Sequence, residues 1–479
     1  MTQNPARWHR SRLFGLGGIL ALSCCLGVTG TMCPFGGSTG GDPADNPPGS
    51  GNSGLTGRYV GAERCSQCHA RIHQNWNETL HAKALVTLES IGQGSNPDCV
   101  GCHTVGFGEE GGFISRALTN ALAGVQCESC HGPGGEHAMN VSDESLRPPK
   151  NISATVCGKC HTGSHHPNFE QWQMSKHALV QESVAQSFAN GTSLNNCGTC
   201  HSGDFRYMSI FEGVALQDNY LQGKTREEMN GITCVICHMP HQKTGNAPFA
   251  DAGRDYQLRF PEVRYPVASN TIEDATNPER FNICGQCHRS RGRVWTSTSR
   301  GPHHSIQANV YAGEMPVPAD TQPLVLSVGS PHSLVREQCA TCHMYRRDFM
   351  SEVAPAISGH NFTVSFEGCV DSGCHPSAAN AESLKTVLEN FVMAKLNSIK
   401  MRLDTWATSP SGGNFPEAND WDYSAEGGTS MQSSIPDTIK KVRFLYYYSL
   451  NDGSYGIHNP TYVKNMIAEA EALLSGIGF

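Results

Sequence analysis

Five residues recur eight times in this chain. The pattern Cys-x-x-Cys-His stands at Cys65–His69, Cys99–His103, Cys127–His131, Cys157–His161, Cys197–His201, Cys234–His238, Cys284–His288 and Cys339–His343. The second cysteines are Cys68, Cys102, Cys130, Cys160, Cys200, Cys237, Cys287 and Cys342. A ninth copy is stretched, Cys369-Val-Asp-Ser-Gly-Cys374-His375, with four residues between its cysteines. The chain has 21 Cys and 22 His among 479 residues. At that composition chance supplies about 0.04 such pentapeptides. The three remaining cysteines, Cys24, Cys25 and Cys33, lie near the N-terminus.

The spacing fits one chemistry. Two thiols so placed form thioethers to the two vinyl groups of one haem, and the adjoining His reaches the iron from the same face. A thioredoxin-like redox pair has no need of the His. Zinc knuckles need paired Cys-x-x-Cys, but not a His behind every pair. Disulfides are the remaining alternative for the eight regular pairs. For the ninth pair, haem attachment stands against a disulfide or free thiols, since four-residue spacers also occur in haem attachment. The motifs imply nine haems c, and eight at the minimum.

Haem also accounts for a thin composition. Only 38% of the residues are hydrophobic and 8% aromatic. Large apolar macrocycles substitute for the missing side-chain surface. The expected fold is mainly α with extensive loops: a haem stack wrapped by short helices, little sheet, and a C-terminal helical cap.

Arg7, Arg10 and Arg12 precede an uncharged run from Leu13 to Gly30. That is the basic and apolar pattern of a secretory signal, with a retained membrane anchor as the alternative. Ala21-Leu22-Ser23-Cys24 resembles a lipoprotein processing site that would leave a lipidated Cys24 attached to a membrane, although Leu is usual where Ala21 stands. Residues 1–33 are therefore read as a leader and the Gly/Pro/Ser-rich residues 34–57 as a flexible tether. The expected location is the periplasm or the cell surface. The chain carries 43 acidic against 35 basic residues, and haem propionates add negative charge. Nucleic acid is excluded as a partner, and a redox protein with a basic face is favoured. Self-association is left open.

Repeats divide the rest. Gly124-Val-Gln-Cys127 with Cys-His131-Gly-Pro matches Gly231-Ile-Thr-Cys234 with Cys-His238-Met-Pro. Trp76-Asn-Glu-Thr-Leu-His81-Ala matches Trp172-Gln-Met-Ser-Lys-His177-Ala, and Val156-Cys-Gly-Lys-Cys-His161 matches Ile283-Cys-Gly-Gln-Cys-His288. The fourth motif thus closes one unit and opens the next, and the seventh does the same. The boundaries follow as haem modules at 58–165, 166–290 and 291–376, then a helical region at 377–479.

Twelve histidines outside the motifs and the leader face nine irons. Imidazole on both faces keeps an iron six-coordinate in both oxidation states. His81, His177 and His137 are the leading second ligands, the first two for their repeated Trp context. His304, His332 and His360 follow, in Gly/Pro/Ser-flanked loops, and then His241. His73, His165, His166 and His458 are read as surface or hydrogen-bonded residues.

Residues 60–137 closely resemble the cytochrome c-552/4 family of tetrahaem c-type cytochromes. The resemblance rests on Cys65-Ser-Gln-Cys-His69, Trp76 through His81-Ala-Lys-Ala, Asp98-Cys-Val-Gly-Cys-His103 with Gly106-Phe-Gly108, and Gly124 through Gly134. It implies a mostly helical fold with packed haems and electron transfer. It also implies His81 and His137 as second ligands, and a haem on Cys99, Cys102 and His103 that lacks one. The duplication puts the His201 haem in the equivalent place.

Carrying electrons between redox proteins is the function expected. The alternative is an oxidoreductase of small nitrogen or sulfur compounds with one open haem, of the nitrite or hydroxylamine type. Such reductases place Lys after the second Cys of the catalytic motif, and here all nine positions hold His. Hydroxylamine oxidoreductases instead cross-link a Tyr to a haem, for which Tyr446, Tyr447 and Tyr448 stand as candidates against a plain aromatic helix face. Asp452-Gly-Ser-Tyr-Gly-Ile-His458-Asn-Pro looks like the closing segment of multihaem nitrite and hydroxylamine enzymes. Ala379 to Leu403 is expected to bury Leu384, Val387, Leu388, Phe391 and Val392 on one face, and Asn459-Pro460 to open a final helix.

Overall fold

A computed structural model describes residues 58–244, 255–259, 283–335, 337–424 and 432–479. The leader and tether expected at 1–33 and 34–57 lie outside them. The described residues belong to one compact unit that begins at Pro48.

Among these residues there is no strand, only isolated bridges such as Thr104 with Ala123. Long helices stand at the two ends: α1 (Ala62–Asn77), α2 (Ala378–Thr408), α3 (Asp437–Asn451) and α4 (Pro460–Gly476). Between α1 and α2 no described helix exceeds eight residues, and several are the motifs themselves. Pro97–His103, Cys127–His131, Leu194–His201 and Cys339–His343 each end on the motif histidine. A single helical turn puts residues i, i+3 and i+4 on one face. Both thiols and the imidazole of a motif therefore present to the same side.

The two sequence repeats fold alike. The indole Nε1 of Trp76 donates to the Val125 carbonyl at 3.1 Å, and that of Trp172 to the Ile232 carbonyl at 2.9 Å. In return the N–H of Val125 donates to the His81 carbonyl at 2.9 Å, and that of Ile232 to the His177 carbonyl at 2.8 Å. The approach is close enough to require glycine beside it. A Cβ on Gly124 would lie 2.6 Å from the Ala82 oxygen, and one on Gly231 would lie 2.4 Å from the His177 oxygen. Each clamp holds a Trp-x4-His-Ala segment against the residues that lead into the third or the sixth motif. In the first unit Glu128, inside the third motif and buried, also accepts from the N–H groups of Gly61 and Gly134 at 2.8 Å. It satisfies otherwise orphaned donors at the start of α1.

Each repeat has a small core of its own. Leu85, Leu88, Val100, Val105 and Leu122 pack in the first, and Val180, Phe188, Leu194, Phe205 and Leu221 in the second. The largest core lies at the C-terminal end, where Leu396, Ile399 and Leu403 of α2 meet Phe444 and Leu445 of α3 and Met466 and Ile467 of α4. Asn459 caps α4 by accepting from the Tyr462 N–H at 3.1 Å, with Pro460 in the first turn. The expected apolar face of α2 divides. Val392 is buried and Leu388 packs on the core, but Leu384, Val387 and Phe391 are exposed. The reason is the phase of the helix: Ala381, Val392, Leu396, Ile399 and Leu403 form the buried stripe of α2, and Leu384, Val387 and Phe391 lie to one side of it, with the Phe391 ring 5.8 Å from the Lys464 ammonium of α4. Among the described residues no helix is long and apolar enough to cross a membrane.

Candidate haem centre

Cysteines of different motifs lie against one another. A hydrogen bond between the Cys65 and Cys127 thiols pushes Cys65 up and Cys127 down, joining the first and third motifs. Burial raises Cys130 to about 11, with Cys157 of the fourth motif adding to it. Cys157 in turn hydrogen-bonds Cys234 of the sixth. Cys237 is raised to about 11 by burial, and Cys287 of the seventh motif contributes. Cys284 hydrogen-bonds Cys339 of the eighth. Burial raises Cys342 to about 12, and Cys369 of the ninth adds to it.

Two motifs sit beside this row. The Cys102 Sγ of the second lies 3.9 Å from the Lys159 carbonyl in the fourth. In the fifth, Cys200 hydrogen-bonds Cys287 of the seventh and lowers it to about 6. Arg206, buried in a π-helical turn, spans the same two motifs, donating to the Thr199 carbonyl at 3.0 Å and lying 3.8 Å from the Cys287 Sγ. The order of contact is thus first, third, fourth, sixth, seventh, eighth and ninth, with the second and fifth as branches. The fourth and seventh motifs are the joints, where the sequence repeats also overlap.

Fit to haem can be tested on the imidazoles. Nδ1 of His103 lies 2.8 Å from the Ala84 carbonyl, that of His131 2.9 Å from Pro149, that of His238 2.7 Å from Tyr256 and that of His343 3.1 Å from Phe362. A carbonyl only accepts, so Nδ1 carries the proton and the Nε2 lone pair is left for a metal. Burial holds His161, His177, His201 and His360 down at about 4, in the neutral form that ligates.

A second imidazole faces six of the motif histidines. His131 and His241 have ring centroids 6.0 Å apart, His161 and His81 6.0 Å, His288 and His177 6.1 Å. His238 and His360 are 6.2 Å apart, and His343 and His458 6.3 Å. His201 faces both His304, at 6.2 Å, and His303, at 6.4 Å. Two rings bound through Nε2 on opposite sides of one ion, with metal–nitrogen bonds of about 2 Å, have centroids about 6.3 Å apart. The residues fit haem.

The other expected ligands are placed less completely. His137 lies beside α1, where the neighbouring Ala138 carbonyl accepts from Arg64, and its buried Nδ1 has no hydrogen-bond partner. His332 donates from Nδ1 to the Ile457 carbonyl at 2.8 Å and lies near His375 of the ninth motif. Among the described residues no imidazole ring faces His69, His103 or His375 in the manner of the six pairs.

Three placements go beyond the sequence reading. His458, expected to play a structural part, faces His343, and its Nδ1 is 2.7 Å from Asp452. Burial pulls His458 down, but the Asp452 carboxylate outweighs it and holds the imidazole above its usual value. Its resemblance-bearing segment was the available signal. His166, also given a structural part, has its ring 6.3 Å from that of His161. His201, expected to have an open face by analogy with His103, faces two rings. The His303-His304 doublet was the visible signal for that.

Tyr446, Tyr447 and Tyr448 are packed into the C-terminal helices. The Tyr447 hydroxyl donates to Asp422 at 2.6 Å, the Tyr448 hydroxyl donates to the Glu314 carbonyl at 2.9 Å, and the Tyr446 ring lies 5.9 Å from Trp421.

Fold and thiol row together define a multihaem c-type cytochrome. Residues 64–132 match the family Cytochrome c554 and c-prime. Cytochrome c-554 of Nitrosomonas europaea is 38% identical over 98 residues, which is 16% of this chain and 42% of that protein. The chain spans less than half the length of the curated relatives it matches. Two solved structures share the fold at low identity. The outer cell wall cytochrome OcwA gives a TM-score of 0.57 at 18% identity, over 87% of this chain and all of that one. The undecaheme cytochrome from the S-layer of Carboxydothermus ferrireducens gives 0.56 at 19%, over 88% of this chain and 70% of that one.

Proposed function

We propose that this chain is an exported electron-transfer protein that holds nine haems c in a branched row. Each motif supplies two thiols and one imidazole, and His81, His177, His241, His360 and His458 close the opposite face at the fourth, seventh, third, sixth and eighth motifs. His137 and His332 serve the first and ninth. Bound haem supplies a one-electron couple, and a second imidazole keeps its iron six-coordinate in both states.

The observation that carries the reading is the set of imidazole pairs at 6.0–6.4 Å. Closed faces suit carrying electrons and oppose binding substrate. Redox proteins are the partners, and the net negative charge of the chain favours a basic face on them. Export is supported by the leader pattern and by structural neighbours named for an outer cell wall and an S-layer. Acylation of Cys24 would tether the protein to a membrane.

The test is the intact mass of the pure protein after acid-acetone extraction, with nine covalent haems expected. Eight would mean an empty Cys369–Cys374 site. Four or fewer would end the haem-row reading. One observation favours a second function, an oxidoreductase of small nitrogen compounds, because His103 faces no imidazole. Rapid turnover of nitrite or hydroxylamine by the pure protein would establish it over the carrier.

A further inference from the structure

The fifth motif has more imidazoles on one side than a single iron uses. His303 and His304 are consecutive, with ring centroids 4.1 Å apart, and both face His201. The ligand nitrogens of all three lie within 4.8 Å of one another.

The two rings are held differently. His303 is half-buried, and its Nδ1 lies 2.8 Å from the hydroxyl of Ser305, which lies 2.8 Å from the Arg289 carbonyl. The carbonyl accepts only, so Ser305 donates to it and receives the Nδ1 proton of His303. That relay fixes the tautomer, turns the Nε2 lone pair outward and raises ligand basicity. Arg289 directly follows His288, so the relay also ties this ring to the seventh motif. His304 is exposed, and no described residue hydrogen-bonds its ring.

We propose that His303 is the resident axial ligand opposite His201, and that His304 is a reserve imidazole that takes its place. Ser305 is the positioning residue for His303. A backbone that carries both rings on neighbouring residues exchanges one for the other without refolding. The site therefore stays closed to small exogenous ligands after either ring is lost. The inference rests on the reading of Cys197, Cys200 and His201 as a haem site.

The experiment uses the full-length holoprotein with His303→Ala, His304→Ala, the double variant and Ser305→Ala. Intact mass reports the haem count, low-temperature electron paramagnetic resonance reports spin state, and carbon monoxide titration of the reduced protein reports open faces. His304→Ala should leave every low-spin signal in place. His303→Ala should add no high-spin haem to those of the parent but move the g-values of one low-spin haem. The double variant should turn that one haem high-spin and bind one more equivalent of carbon monoxide than the parent. Ser305→Ala should move the same signal in the parent and add nothing to His303→Ala, and Ser305→Thr should restore the parent signal.

A silent His303→Ala beside a shifted His304→Ala would reverse the assignment. One more high-spin haem than the parent in His303→Ala alone would remove the reserve role. Where Ala does not fold, His303→Gln keeps the bulk, and one more high-spin haem than the parent in it overturns the reserve role in the same way. Loss of the haem from Cys197 and Cys200 in the parent's peptide mass would instead sink the underlying haem reading.

Discussion

The first two haem units differ at one branch while sharing one scaffold. Both clamp a Trp-x4-His-Ala segment to the segment before the motif after next, the third or the sixth, through the indole, one backbone N–H and a glycine. Both aim the clamped histidine, His81 or His177, at the motif histidine that begins the following unit. The branch motifs diverge: His103 faces no ring, whereas His201 faces two. Duplication therefore preserved the through-row and left the branches free to vary. The third unit supplies the difference, because His303 and His304 lie beyond the second unit and face its branch histidine, His201.

The largest test of the shared scaffold is at its glycines. Gly124→Val and Gly231→Val should each cost about 3 kcal/mol or more, because the Cβ strikes a backbone oxygen that has no room to move. Thermal unfolding with both variants equally damaged supports equivalence, and a tolerated Gly231→Val would break it. Next in size, His81→Ala and His177→Ala should each turn one haem high-spin at an unchanged covalent haem count. Spectra unchanged from the parent would mean these rings are not ligands.

The branch difference predicts a smaller signal. The reduced parent should bind carbon monoxide at one haem, the one on His103, and none at His201. Two equivalents would erase the contrast, and none would close the His103 site. The smallest effect belongs to the indoles. Trp76→Phe and Trp172→Phe each lose one neutral hydrogen bond and should cost about 1 kcal/mol, with the two values close to each other.

The comparison also shows where sequence runs out. The motifs were legible because their chemistry is local: one helical turn carries both thiols and the imidazole. The Asn459-Pro460 cap and the Trp-x4-His-Ala repeat were legible for the same reason. The buried face of α2 was not, because periodicity marks an apolar side of a helix but not which stripe of that side α3 and α4 cover.

What the sequence by itself determined, then, is the cofactor chemistry, the duplicated units and the mainly helical, loop-rich fold. Tertiary structure alone decided which imidazole faces which. His343 and His458, or His201 and His303, meet only after distant segments pack, and a lone histidine carries no local mark of the ring opposite it. Side-chain direction is a short-range property of the backbone. Opposition across a shared site is a property of packing between separate segments.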